Sequence, residues 1–390
     1  MNKGTVEKLV GVEDDLCVSI ILPTTRMPDR RSENEIRLNN LTAEAKKRLL
    51  KSSGSASRNI QKKLDQKTRA LDASAFDSGL AIFVSDTISE CIPLPFPVDE
   101  RLAVNDRFLI KDLIYSLAES IDYYILGLSE SKASLYRGHN REISRLEKFF
   151  PIEHEIAESS IERLVSSKPA GRWLGGEGKI EVGGEATATP GTYVPNMDSI
   201  EAERLMKFFR EVDEHLEKRL KKEPLPVILA TIARNAVTYK KVSKHTSSIV
   251  QELHGSLEGA SMTELAEVVG PALEKYRRSR NECALGGLEK AIQKNLVASG
   301  FKECFYHASQ GRAKTLLLER DTEIFGKELE GGDFCPLNED GGKDDSVSDS
   351  EIINGVEELI RKTIAVSGEV VFLDKDSLKK HDRVAMILRY

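Results

Sequence analysis

The chain has 390 residues, 40% of them hydrophobic, which predicts two or three domains of about 100–200 residues and excludes wholesale disorder. The formal charge of −6, from 57 Lys/Arg against 63 Asp/Glu, speaks against a generally basic nucleic-acid binder until its distribution is read. Eleven acids and two lysines lie between Asp321 and Glu351, so the remainder carries +3, and residues 1–75 alone carry +5. No apolar run reaches the roughly 18 residues of a membrane span. The opening residues Met1 to Lys8 lack the apolar core of a signal peptide. A cytoplasmic protein without membrane contact is expected.

Taken in chain order, Leu16 to Leu22 is a buried-strand run closed by Pro23. Ser32 and Glu35 form a capping box that starts a long helix, interrupted at Ser52-Ser53-Gly54-Ser55 and continued through Ile60, Leu64 and Leu71. Gly79 to Val84 is a second buried strand. Ile92-Pro93-Leu94-Pro95-Phe96-Pro97 reads as an extended edge or a linker, because proline removes ladder donors. A helix over 107–120 follows, then strands at Tyr123–Leu128 and Lys132–Arg137, with a third beginning near Arg141.

Seven glycines between Gly171 and Gly191 mark a surface loop. Beyond it come a long charged helix from Ser199 to Leu220 and a strand at Pro226–Ala230. Two helices are expected over Met262–Arg280 and Leu288–Val297. A strand at Lys314–Leu318 precedes the acidic insertion 321–351, for which composition predicts a solvated loop. A helix over 350–366 and apolar runs at Val370–Leu373 and Val384–Tyr390 complete the chain. Strands alternating with helices indicate an α/β protein of three mixed-sheet sandwiches, 1–100, 101–246 and 247–390.

Chemistry-bearing motifs are few. Cys17, Cys91, Cys283, Cys304 and Cys335 form no C-x-x-C pair, and the seven histidines show no zinc spacing, so neither metal nor cofactor is expected. No phosphate loop or nucleophile elbow occurs. The glycine loop contains Gly-Gly-Glu twice, at Gly175-Gly176-Glu177 and Gly183-Gly184-Glu185, flanked by Lys168, Arg172 and Trp173. Glycine lets main-chain N–H groups approach a substrate while a neighbouring side chain orients water. A long surface hairpin without chemistry is the other reading.

The run Val18-Ser19-Ile20-Ile21-Leu22-Pro23-Thr24-Thr25-Arg26, with Ile36-Arg37-Leu38-Asn39-Asn40-Leu41 on the helix after it, resembles the start of bacterial relatives of the archaeal and eukaryotic class I release factor and Pelota. Tyr124 to Leu128 and Leu135 to Gly138 are similar to the opening hairpin of their middle domain. Ala308-Ser309-Gln310-Gly311-Arg312-Ala313-Lys314-Thr315 resembles their third domain, and the glycine loop stands where release factors carry Gly-Gly-Gln. The resemblance implies a ribonuclease-H-like middle domain and a third domain like a kink-turn-binding ribosomal protein. It implies contact with the ribosome and tRNA near the A site, with a translational GTPase as a further partner. It places Arg26, Arg30, Arg31 and Arg37 against ribosomal RNA, and the loop with Lys168 and Arg172 toward the tRNA acceptor end. The role it implies is termination, rescue or hibernation. The alternatives are a peptidyl-tRNA hydrolase and an RNA-processing factor of Pelota type. Glu177 and Glu185 replace the neutral glutamine, and an ionised glutamate only accepts hydrogen bonds and meets RNA as a like charge. Binding is therefore expected ahead of ester hydrolysis.

Overall fold

A computed structural model describes residues 3–12, 14–25, 27, 31–51, 55–71, 77–130, 132–146, 197–255, 261–329, 331–337 and 352–390. They form two compact units, residues 1–120 with 279–390, and residues 121–278.

The first unit opens with helix α1 (Lys3–Val10), strand β1 (Cys17–Pro23), and the paired helices α2 (Arg31–Lys51) and α3 (Ser55–Arg69). Strands β2 (Gly79–Val84), β3 (Ser89–Leu94) and β4 (Arg101–Asn105) and helix α4 (Lys111–Glu119) follow. The sheet order is β3-β2-β1-β4. The continuous apolar runs of β1 and β2 fit their central places, buried on both faces. Proline-bearing β3 lies at the edge, where a missing donor costs no ladder bond. Antiparallel pairing of β4 with β1 carries this sheet past residue 100.

The second unit contains β5 (Asp122–Leu128), β6 (Ala133–His139), β7 (Glu142–Arg145), α5 (Met197–Lys222), β8 (Val227–Thr231), α6 (Ala233–Val242), β9 (Ile249–His254) and the start of α7 (Met262–Ile292). Its sheet runs β7-β6-β5-β8-β9, with β5, β8 and β9 parallel. Alternation along β5 serves two cores. Tyr124 and Leu126 pack with Phe209, Val212 and Leu216 of α5, whereas Tyr123 and Ile125 pack with Leu265, Val269 and Leu273 of α7. A Cβ at Gly138 would run into the Tyr123 ring, so that strand position needs glycine. β9 pairs with β8 and takes this sheet beyond residue 246. The two helices expected over 262–297 are one 31-residue helix that accommodates Pro271. Burial of Val269, Ala272, Leu273, Leu288 and Ala291 along it outweighs the lost main-chain bond.

The first unit resumes with β10 (Val297–Ser299), α8 (Phe301–Ser309), β11 (Ala313–Glu319), β12 (Phe325–Glu328), β13 (Phe334–Pro336), β14 (Ile353–Asn354), α9 (Gly355–Ala365), β15 (Glu369–Leu373) and β16 (Val384–Leu388). The main sheet here is β10-β16-β11-β15, and β13-β12-β14 form a smaller one. The acidic insertion is thus partly built into the fold. Phe334 anchors it, with ring centroids 4.9 Å from both Phe301 and Phe305. Residues 338–351 lie outside the described set.

Both segments of this unit share one core, in which Phe83, Phe108 and Ile110 cluster with Phe301, Leu316, Phe334 and Val356. Charged groups run through it. Glu357 Oε2 accepts the N–H groups of Ile110 (2.7 Å) and Lys111 (2.9 Å), capping α4, whose own N-cap residue supplies no side-chain bond. One turn along α9, Arg361 donates to the carbonyls of Val10 (2.8 Å) and Phe108. Lys111 Nζ donates to Thr322 O at 2.8 Å, and Arg101 pairs with Asp112 and with Glu323 (3.3 Å). Burial raises the Glu357 pKa and lowers those of Lys111 and Arg361, as expected for charges taken from water.

Candidate nucleic-acid interface

Helices α2 and α3 lie on the β1–β2 face through Leu38, Leu41, Ala45, Leu49, Ile60 and Leu64, which pack on Val18, Ile20, Leu22, Leu80, Ile82 and Val84. The i, i+3, i+4 spacing makes that stripe, and each fully buried aliphatic side chain contributes about 1.5–3 kcal/mol. Ser57 Oγ donates to Leu49 O at 2.7 Å and closes the helical turn-around. The opposite face is basic. Residues 31–69 hold eleven Lys/Arg and four Asp/Glu, and Arg37, Lys47, Arg48, Lys51, Arg58, Lys62 and Arg69 are exposed.

Only part of this charge is matched among the described residues. Lys46 pairs with Asp65 across the two helices, and Arg48 with Glu44 at 3.1 Å within α2. The Arg48 hydrogen bond, aided by Lys47 and Lys51, holds the Glu44 carboxyl below its ordinary value. Lys63 is drawn to the carbonyls of Ser85 (3.3 Å) and Asp86. Arg37, Arg58, Lys62 and Arg69 make no ion pair among the described residues. Exposed guanidinium and ammonium groups without ion pairs among the described residues suit phosphate neutralisation.

Of the expected RNA-contacting arginines, Arg37 is an exposed residue of α2, and Arg31 begins that helix. Arg26 and Arg30 lie outside the described residues. In the first turn of α2, Asn34 is 2% exposed, and its side-chain amide accepts from Thr25 N (3.1 Å) and donates to Thr25 O (2.8 Å). Sequence reading singled out none of the α3 cations. Arg58, Lys62 and Arg69 are legible there only as the charged side of an amphipathic helix.

Gly175, Gly176, Glu177, Gly183, Gly184, Glu185, Lys168 and Arg172 all fall within 147–196, outside the described residues. Their described flanks, β7 and α5, belong to the second unit. β7 is antiparallel to β6, and β6 to β5, so β7 ends at the carboxyl edge of the parallel strands. α5 packs on the sheet and turns through 223–226 into β8, so its start points to the same edge. At about 1.5 Å per residue the 26-residue helix is roughly 39 Å long, well beyond the five-residue strand. Both tethers of the Gly-Gly-Glu segment therefore leave the side where open α/β sheets place ligands.

A buried hub steadies α5. Asp213 accepts hydrogen bonds from Tyr239 OH (3.0 Å), Ser243 Oγ (2.6 Å) and Lys244 N (2.9 Å), and meets His245 Nδ1 at 3.1 Å. Burial and the Asp213 charge push the Tyr239 hydroxyl upward. Sequence reading missed this hub, since its members are separated by 26 to 32 residues and form no motif. Burial also pushes the Cys17 and Cys91 thiols up to about 11, suppressing thiolate at neutral pH. No group of three or more His, Cys, Asp or Glu among the described residues is arranged to hold a metal ion. No described helix is long and apolar enough to cross a membrane.

Residues 122–312 match the family model described as Bacterial archaeo-eukaryotic release factor family 3. The archaeal translation termination factor aRF1 is similar at 15% identity, over 99% of this chain and 96% of that one, with a TM-score of 0.23. A structure described as ribosome-bound archaeal Pelota and ABCE1 is similar at 18% identity over 78% and 72%, TM-score 0.40. Dom34 of S. cerevisiae, a translation termination-like factor interacting with Hbs1, is similar at 14% over 78% and 72%, TM-score 0.38. No curated protein matches the chain.

Proposed function

Because this chain is a bacterial archaeo-eukaryotic release factor-like protein, we propose that it acts on the ribosome in termination, rescue or hibernation, by binding at the A site. The observation that carries this reading is the family match over 122–312. The basic face of α2 and α3 supports it, as a surface for ribosomal RNA phosphates. In the same proposal the Gly-Gly-Glu segment reaches toward the tRNA acceptor end, and a translational GTPase is the delivery partner. Glutamate in place of glutamine favours occupancy over ester hydrolysis.

Co-sedimentation with 70S ribosomes across a salt series tests the binding. The protein should pellet at low salt and leave as counterions compete; a protein that stays in the supernatant at low salt overturns the proposal. Ribosomes charged with labelled peptidyl-tRNA test the chemistry. Peptide release that disappears on combining Glu177→Ala with Glu185→Ala would replace the binding role with a hydrolase.

A further inference from the structure

The C-terminal segment of the first unit carries a solvent-facing row of flat groups. Tyr306 and His307 lie near the end of α8, with ring centroids 5.4 Å apart. His307 Nδ1 is 3.2 Å from Arg312 Nη1. The Arg312 guanidinium carbon is in turn 5.3 Å from the Tyr390 ring centroid. Tyr306 is 42% and Tyr390 67% exposed. The row is thus ring, ring, guanidinium, ring, with both ends open to solvent.

The sheet register places further cations beside it. Ala313 is opposite Leu388, which sets Arg312, just before β11, near Arg389 and Tyr390, just after β16, while Lys314 stands at the register shift between Ala313 and Thr315. Arg312 Nε donates to Tyr390 O at 3.0 Å and Arg389 Nε to Ala313 O at 2.9 Å, so both guanidinium groups are held by main chain. Lys314 is exposed. Glu303, one turn before His307, has its Oε2 engaged by Ser299 N at 2.9 Å. Burial and the Arg312 charge lower the His307 pKa, keeping that ring neutral at neutral pH.

A single exposed tyrosine is ordinary. Stacking faces alternating with a fixed guanidinium, flanked by phosphate-neutralising cations, combine the two elements that bind unstacked nucleic acid. We propose that this row binds single-stranded RNA, with bases on the faces of Tyr306 and Tyr390 and phosphates against Arg312, Lys314 and Arg389. A duplex does not fit this chemistry, because its base faces are already stacked on one another. The site is separate from the α2–α3 face and does not depend on the ribosomal role.

The test is fluorescence anisotropy of the full chain with a labelled, non-self-complementary single strand of RNA and with its duplex. Tyr306→Ala combined with Tyr390→Ala should weaken single-strand binding roughly tenfold or more. It should leave duplex binding and the melting temperature unchanged, while Tyr306→Phe with Tyr390→Phe keeps the parent affinity. An alanine variant that binds the single strand as tightly as the parent overturns the proposal. So does one that loses single strand and duplex in equal proportion.

Discussion

The outer face of α2 and α3 and the seam beneath α9 use the same residue types to opposite ends. On the hairpin, Arg58 and Lys62 stand in water without ion pairs among the described residues, and the apolar stripe on the other side holds the helices. In the seam, Arg361 and Glu357 are 8% and 5% exposed, and their partners are main-chain groups of Val10, Phe108, Ile110 and Lys111. Burial decides the role. A charge left in water is available to a partner and adds little to the fold. A charge taken into the core depends on its partners there, and removing one side leaves the other stranded.

The largest effect should follow from breaking the seam. Arg361→Ala strands the Val10 and Phe108 carbonyls and removes a cation that offsets the Glu357 charge. A loss of about 3–5 kcal/mol is expected, read as a lower calorimetric transition for the first unit. If Arg361→Ala melts like Arg58→Ala, burial does not separate the two regions.

The hub in the second unit offers an intermediate case. Tyr239→Phe removes one hydrogen bond to the buried Asp213 carboxylate while keeping the ring. About 1.5–3 kcal/mol should be lost, and hydrogen exchange should quicken along α5 and α6 ahead of the first unit. Uniform protection in parent and variant would rule out a structural role for the hub.

A smaller and pH-dependent effect separates ionised from neutral carboxyl in the seam. Burial raises the Glu357 pKa above its ordinary 4.5, against two main-chain N–H bonds that lower it. Its Oε1 finds no partner among the described residues, which favours the raised value. The folded state therefore holds the proton more tightly than the unfolded chain. That contribution is complete below pH 4.5 and is lost as pH rises through the folded pKa, at most about 1.4 kcal/mol per pH unit. Glu357→Gln should flatten this slope in a series of melts. An unchanged slope would mean that another group titrates.

The difference between the two regions also explains what the sequence disclosed. Apolar patterning located β1, β2, β5 and β8, because each buried run is local in the chain, whereas Ser32, read as the cap of the long helix, lies inside α2, which begins at Arg31. Of the two readings of Ile92 to Pro97, an extended edge or a linker, Pro93 falls in edge strand β3 and Pro95 beyond its end. The seam was illegible, since Glu357 and Ile110 are 247 residues apart and each alone resembles an ordinary residue of its type. The interruption expected between Arg280 and Leu288 does not occur: the helix is continuous to Ile292, with Leu288 and Ala291 buried. Counting charge in the acidic insertion concealed Phe334, whose packing against α8 builds part of that segment into the fold. The Gly-Gly-Glu residues were conspicuous as sequence, and what the fold adds is where their two tethers emerge.

The smallest effect on folding should come from the hairpin, and there the readout must be binding. Arg58→Ala and Lys62→Ala touch no ion pair among the described residues and no core contact, so each should alter stability by no more than about 0.5 kcal/mol. If both side chains meet phosphates, RNA affinity falls, and the slope of log affinity against log salt should shrink by roughly 0.7–0.9 per lost contact. Arg48→Ala is the internal control. Its guanidinium is already committed to Glu44 and to the Leu102 carbonyl at 3.1 Å each, so it should change the slope less than either neighbour. Equal slopes for all three variants would show that exposed charge in this hairpin is no better placed for phosphate than charge already paired, and the contrast with the seam would then concern stability alone.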